Sequence, residues 1–332
     1  MINRRTFLLA PLLLSACGRR KGARPLFAAD SQPLGYPTTE GLRAIDQLLN
    51  ERTNGEMRVR VYPGGQMGAE KDTLEIAVFG GLDLTRVNLA PVNSIVPETI
   101  VLALPFLFRS ITHSRATFDG PIGRRILDAM SPYGLRGMCY YDSGARCFYN
   151  TKRPIVTPDD MAGMKIRVPK SDIYVAMIQA LGANATPIPY GEVYQSLVQG
   201  VVDGAENNYP SYESSRHFEA AQNLSLTRHV MAPELVVASG RSWDRMSREE
   251  QELLQTAATD SVPIMRAMWD ERVAVSKQRV KEAGVAVIEN VEHAAFVDRM
   301  LPVWDRFVTT PQMQKTVDDI IRVGAGLEDI DE

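Results

Sequence analysis

The 332-residue sequence predicts an α/β fold in two lobes with a ligand cleft between them. Three observations predict it. Strand-like and helix-like apolar periodicities alternate from about residue 25 onward, the pattern of strands separated by helices. Polar residues recur at the ends of strand-like runs, as at Asn88 and at Asn207-Asn208-Tyr209, and open α/β sheets bind ligands outside the carboxyl ends of their strands. The stretches 135–149 and 231–239 also read as places where the chain crosses between lobes.

Composition sets the outer limits. The length suits two ordinary domains. A hydrophobic share of 45% and a charged share of 23% are those of a globular chain. The net charge of −3, with no basic run beyond the N-terminus, gives no reason to expect a nucleic-acid partner. No stretch after the N-terminus approaches 18 uncharged apolar residues, so no later spanning helix is expected. His113, His217, His229 and His293 are scattered, and neither a metal nor a cofactor is expected. Cys139 and Cys147 could pair in an oxidising compartment or stay as buried thiols.

Residues 1–17 read as an export signal. Arg4 and Arg5 precede a short apolar run, and Leu14-Ser15-Ala16-Cys17 resembles a lipobox that would make Cys17 the lipidated first residue of the mature chain. An uncleaved anchor is the alternative. Residues 18–24 are a basic tether. A first strand at 25–29 leads to a helix from Thr38 to about Thr53, then a half-exposed strand over Met57–Tyr62. Glu70 to Phe79 forms a helix stopped by Gly80-Gly81, and Leu82 to Val87 the next strand, with Asn88 at its end. Glycines 64, 65 and 68 lack any phosphate-loop pattern and read as turn residues.

Residues 163–216 carry the densest signal. Met164, Ile166 and Val168 surround Arg167, so an arginine sits in a strand that should enter a core. Pro169 ends that strand, and Ser171 can cap a helix with Ile173, Met177 and Leu181 on one face. A second helix ends at Gly200, and Val201 to Glu206 delivers Asn207 and Asn208. A strand arginine with a strand-end amide pair suggests a site for an anionic, hydroxylated small molecule. Ser247 and Glu250 form a capping box for a long helix, which Pro263 should kink or restart before it ends near Gly284. Lobe I is expected over 25–143 plus about 233–273, and lobe II over 144–232 plus about 274–332.

The run KIRVPKSDIYVAMIQALGANATPIPYGEVYQSLVQGVVDGAEN, with GQMGAEKDTLEIAVFGGLDLT at 65–85 and ALPFLF at 103–108, resembles the DctP-type solute-binding proteins of tripartite ATP-independent periplasmic (TRAP) transporters. The resemblance covers roughly residues 25–310. It implies a two-lobed periplasmic-binding-protein-like fold, type II-like, with a long bent helix along both lobes. It also implies a periplasmic receptor, monomeric and not an enzyme, which hands an organic acid to membrane subunits of the transporter.

Residue by residue, the resemblance puts the ligand carboxylate on Arg167 and a ligand hydrogen bond on Asn207, and it makes Arg146 a second candidate. Glu70 could accept ligand hydroxyls or steady a helix N-terminus. Tyr190 could pack on the ligand or belong to the core. Asn208 is this chain's own variation, a hydroxyl-binding candidate, whereas Asn88 and Arg86 are suggested only by their place at a strand end. Glu192 is expected to support its loop. A sugar acid such as glucuronate or galacturonate is the expected ligand, with a C4 dicarboxylate as runner-up. An exported sugar-acid enzyme, using Glu70 with Glu206 or Asp142, and a sensor subunit are the competing classes.

Overall fold

A computed structural model describes residues 25–327. The export signal, Cys17, the tether and the charged tail from 328 lie outside the described residues. Among the described residues eleven strands appear in chain order: β1 (Leu26–Asp30), β2 (Val59–Tyr62), β3 (Leu84–Asn88), β4 (Leu135–Tyr141), β5 (Arg146–Asn150), β6 (Lys165–Val168), β7 (Asn184–Pro187), β8 (Gly204–Asn207), β9 (Asn223–Val230), β10 (Glu234–Ser239) and β11 (Ala286–Ile288). They form two sheets, ordered β2-β1-β3-β10-β4 and β11-β9-β5-β8-β6-β7. Each sheet is mostly parallel but has one antiparallel strand inserted from the other side's run of chain. β10 runs against β3 and β4, and β5 runs against β8 and β9.

Those insertions are the crossings. The chain leaves the first sheet after Tyr141 and enters the second at Arg146, then returns between Val230 and Glu234. Asp142, in the first crossing, is 1% exposed and is held by Arg115 and by Arg266 Nε at 3.0 Å. Cys139 and Cys147 fall in different sheets, and no disulfide joins them.

The helix Arg248–Glu282 ties the two halves together. It begins with the expected box: Ser247 Oγ accepts from Glu250 N at 3.2 Å, and Glu250 Oε2 accepts from Ser247 N at 2.7 Å. Its Leu254, Ala257, Ala258, Met265 and Trp269 fill a core with the helix Pro37–Arg52. Further along, Val280 joins a core with Tyr212 and Leu224 on the second sheet's side. Of the kink or restart expected at Pro263, the restart does not occur, and the helix runs unbroken through it. Pro263 and Thr259 both lie on the exposed face, where the carbonyl left without an amide partner can be hydrated.

The expectation for 274–332 needs correction at its end. The helix His293–Phe307 packs against Asp172–Ala180, beside the second sheet. The next helix, Pro311–Ala325, returns to Ile111–Asp119 on the first-sheet side. There Ile320 O lies 2.8 Å from His113 Nε2, and a Cβ on Gly324 would come within 2.5 Å of the His113 ring. Only glycine allows that approach.

Candidate ligand-binding cleft

The carboxyl ends of β1, β3, β6 and β8 and the amino end of β10 converge on one chamber between the sheets. It is lined by Gln32, Glu70, Arg86, Asn88 and Glu234 from one side, and by Arg146, Arg167, Pro169, Tyr190, Asn207 and Ser211 from the other. It opens into a mouth of about 320 Å³ that shares Glu70, Arg167, Pro169 and Tyr190 with it. The chamber itself is only about 30 Å³, room for one small polar group, and it is the mouth whose size reaches the range of small-molecule sites, about 300–1,000 Å³.

Three guanidiniums line the chamber, each almost wholly buried, and they differ in their partners. Arg86, on β3, is enclosed by carboxylates. It pairs with Asp30, donates from Nη1 to Glu70 Oε1 at 2.7 Å and to Glu234 Oε2 at 2.6 Å, and reaches Ser31 Oγ at 3.0 Å. Burial opposes its charge, yet Asp30, Glu234 and Glu70 hold its pKa well above the ordinary value. Burial in turn pushes the Glu70 carboxyl up. Arg86 offsets that, while Glu234 and Asp30 add to it.

Arg146, at the start of β5, is matched one to one. Its Nη2 donates to Glu206 Oε1 at 2.7 Å and to Glu206 O at 2.9 Å, and its Nη1 to Asn207 Oδ1 at 2.9 Å. Burial would raise the Glu206 pKa, but Arg146 and His229 hold it down at about 2. Glu206 is therefore a committed counter-ion.

Arg167 is different. The alternation of β6 sets it opposite Ile166 and Val168, and among the described residues only its Nε has a hydrogen bond, to Ile188 O at 2.8 Å. Among the described residues, no carboxylate stands within 4 Å of it. Burial lowers its pKa, with Glu206 compensating only through space. The planar fork of Nη1 and Nη2 is left for a bidentate acceptor.

The amides divide as well. Asn207 Oδ1 accepts from Arg146 Nη1 and from Asn208 N at 2.9 Å, which orients its amino group as the part available to a ligand. Asn208 spends its side chain elsewhere: Oδ1 caps the helix Tyr209–Ser214 by accepting from Ser211 N at 2.8 Å, and Nδ2 reaches Ser143 Oγ at 3.3 Å. It does not line the chamber. Asn88 caps the turn after β3 through Ala90 N at 3.0 Å and donates to Glu234 Oε1 at 3.0 Å. Tyr190 is tethered through its hydroxyl to Ser215, and its ring lines both chamber and mouth. Glu192 reaches only the mouth.

Asp30, Gln32, Ser211 and Glu234 are chamber or support residues that the sequence reading missed. Asp30 ends β1, so the strand-end rule that marks Asn88 could have found it. Among the described residues, no cluster of His, Cys, Asp and Glu is arranged to hold a metal ion.

Residues 28–310 match the family described as bacterial extracellular solute-binding protein, family 7, known as DctP. The chain belongs to the DctP family. A solute-binding protein from Chromohalobacter salexigens is 42% identical to it over 289 residues, 87% of this chain and 86% of that one. Among solved structures, a TRAP periplasmic solute-binding protein from Bradyrhizobium sp. in complex with α/β-D-galacturonate is 49% identical. It superposes with a TM-score of 0.89 over 90% of this chain and all of that one. Another, from Chromohalobacter salexigens with bound D-glucuronate, is 41% identical with a TM-score of 0.87, covering 90% and 99% of the two chains. The DctP family comprises TRAP solute receptors, and the two-sheet α/β fold is theirs.

Proposed function

We propose that this DctP-family chain captures a hexuronate in the mouth, where it opens on the chamber at Glu70, Arg167 and Tyr190, and delivers it to TRAP membrane subunits. The observation that carries the reading is Arg167, a buried guanidinium with an open fork and no carboxylate partner. A sugar carboxylate supplies the missing countercharge in the geometry that guanidinium prefers. Asn207 Nδ2 donates to the same end of the ligand, and Tyr190 covers the ring. Glu70 accepts from the hydroxyls, and Arg146 acts through Asn207 and Glu206, orienting rather than touching. The related structures with galacturonate and glucuronate favour this ligand class over a C4 diacid.

The receptor works in the periplasm as a monomer and does not transform its ligand. Glu206 is locked under Arg146, and Asp142 between Arg115 and Arg266. Neither is poised beside Glu70 as an acid/base partner. Lipid attachment at Cys17 would hold the receptor at the membrane.

A thermal-shift screen of hexuronates, neutral hexoses and C4 diacids tests the reading. At 100 times its dissociation constant a ligand adds about 2.7 kcal/mol of stability. D-galacturonate or D-glucuronate is expected to raise Tm by several degrees and be recovered unchanged, with D-galactose giving no shift. A flat response to every sugar acid overturns the assignment.

A further inference from the structure

The two walls of the chamber carry opposite balances of charge. On the second-sheet side Glu206 neutralises Arg146, so Arg167 is a surplus cation. On the first-sheet side three carboxylates, Asp30, Glu70 and Glu234, share the single cation Arg86. Two of the three have both oxygens engaged. Asp30 accepts from Gln32 N and Arg86 on one oxygen and from Thr38 and Thr39 on the other. Glu234 accepts from Asn88 and Ser143 on Oε1 and from Arg86 on Oε2.

Glu70 is the exception. Ser31, Arg86 and Asn88 N all bond to Oε1, and among the described residues Oε2 accepts nothing. Glu70 lines both chamber and mouth. Burial and the neighbouring carboxylates push the Glu70 carboxyl up, but the Arg86 guanidinium bonded to Oε1 opposes that rise and favours the carboxylate. As a carboxylate it only accepts hydrogen bonds, so Oε2 can accept one from a ligand hydroxyl and can only repel a second anion.

We propose that the chamber admits sugar acids carrying one carboxylate and rejects the corresponding diacids, and that Glu70 sets this discrimination. The proposal rests on the reading that the ligand's carboxylate meets Arg167. With that end fixed, the far end of the ligand meets the wall with surplus negative charge. A hydroxyl there finds an acceptor. A second carboxylate finds a like charge in a buried site, an arrangement that opposes binding strongly.

Calorimetry at neutral pH on the parent chain and on Glu70→Gln, with D-galacturonate and galactarate as probes, tests it. In the parent, galactarate is expected to bind at least about 30-fold more weakly than D-galacturonate, the size of a close like-charge contact. Glu70→Gln keeps the shape and removes the charge. It is expected to bind galactarate at least about fivefold more tightly than the parent does, whatever happens to galacturonate. Comparable binding of the two acids by the parent overturns this inference alone. Parallel weakening of both acids in Glu70→Gln shows a merely structural role and overturns the assignment to Glu70. If neither acid binds the parent, the hexuronate reading falls and takes the inference with it. Should Glu70→Gln not fold, Glu234→Gln removes one negative charge from the same wall and is held to the same criterion.

Discussion

Arg86 and Arg167 face the same chamber from opposite sheets. Both occupy strands, and both are at least 97% buried, with exposures of 1% and 3%. Yet one is held by Asp30, Glu70 and Glu234, while the other meets no carboxylate among the described residues. Taking a charge out of water costs several kcal/mol unless a partner compensates it. The first-sheet wall meets that cost when the chain folds. On the second-sheet wall it stays outstanding until an anion arrives. Burial alone therefore does not separate a structural arginine from the one proposed to bind the ligand. The counter-ion inventory does, and Arg146, matched by Glu206, falls on the structural side of that division.

The largest expected effect breaks the structural half of the comparison. Arg86→Leu leaves three carboxylates buried together without their cation. Removing one partner of a buried pair costs about 3–5 kcal/mol. Urea denaturation of the unliganded protein should show a loss of that order. An unfolding free energy within about 0.5 kcal/mol of the parent's, on the scale of an ordinary surface change, would mean that the carboxylates find another partner.

The binding half breaks in the opposite way. Arg167→Ala removes an uncompensated charge, so the unliganded protein should unfold no more easily than the parent, apart from the small packing loss of the side-chain stem. Ligand affinity should fall by about 2–5 kcal/mol, roughly 30- to 4,000-fold. Arg167→Lys keeps the charge but not the fork and should bind clearly more weakly than the parent. Calorimetry with D-galacturonate reads both variants. A folded Arg167→Ala protein that binds within about threefold of the parent, less than 0.7 kcal/mol, would sink the carboxylate role.

How much of this contrast was legible follows from where each partner sits in the chain. Arg167 stands out locally, because a strand flanked by Ile166 and Val168 has no obvious use for a charge. Asn207 is legible from its place at the end of β8. Glu234 is not. It begins β10, and only because β10 runs antiparallel to β3 does its amino end pair with Asn88 and reach the carboxyl-end rim. The same insertion logic hides the Arg146–Glu206 pair, formed between antiparallel β5 and β8. A cation in a strand is visible in sequence, whereas the counter-ions Glu234 and Glu206 depend on pairings 148 and 60 residues away from their arginines. Asn208 misled for a local reason: an Asn two residues after a strand interior is equally a helix cap, and capping is what it does. The helix Pro311–Ala325 shows its apolar face in Val317 and Ile320, but periodicity does not say which lobe that face covers.

The smallest expected effect sharpens the comparison by asking when the two walls meet. Tyr36 precedes the helix Pro37–Arg52 on the first-sheet side, with its ring edge-on to Trp269 at 6.1 Å. Its hydroxyl lies 2.9 Å from Ser211 Oγ, on the helix that Asn208 caps beside the second sheet. Burial holds the phenol neutral, its pKa well above the ordinary value, so this is a hydrogen bond between uncharged groups. Such a bond contributes about 0.5–1.5 kcal/mol net. Tyr36→Phe deletes it and leaves the packing on Trp269 in place. If a bound sugar acid is what draws the walls together, as hinge closure requires, the bond belongs to the liganded state. Affinity for D-galacturonate should then fall about 2- to 12-fold while the unliganded Tm stays put. Calorimetry and thermal melts on the same preparation separate the cases. An equal loss of stability with and without ligand would show that the walls are already joined before the ligand enters, and Arg167 would then wait for its anion in a chamber that is already closed.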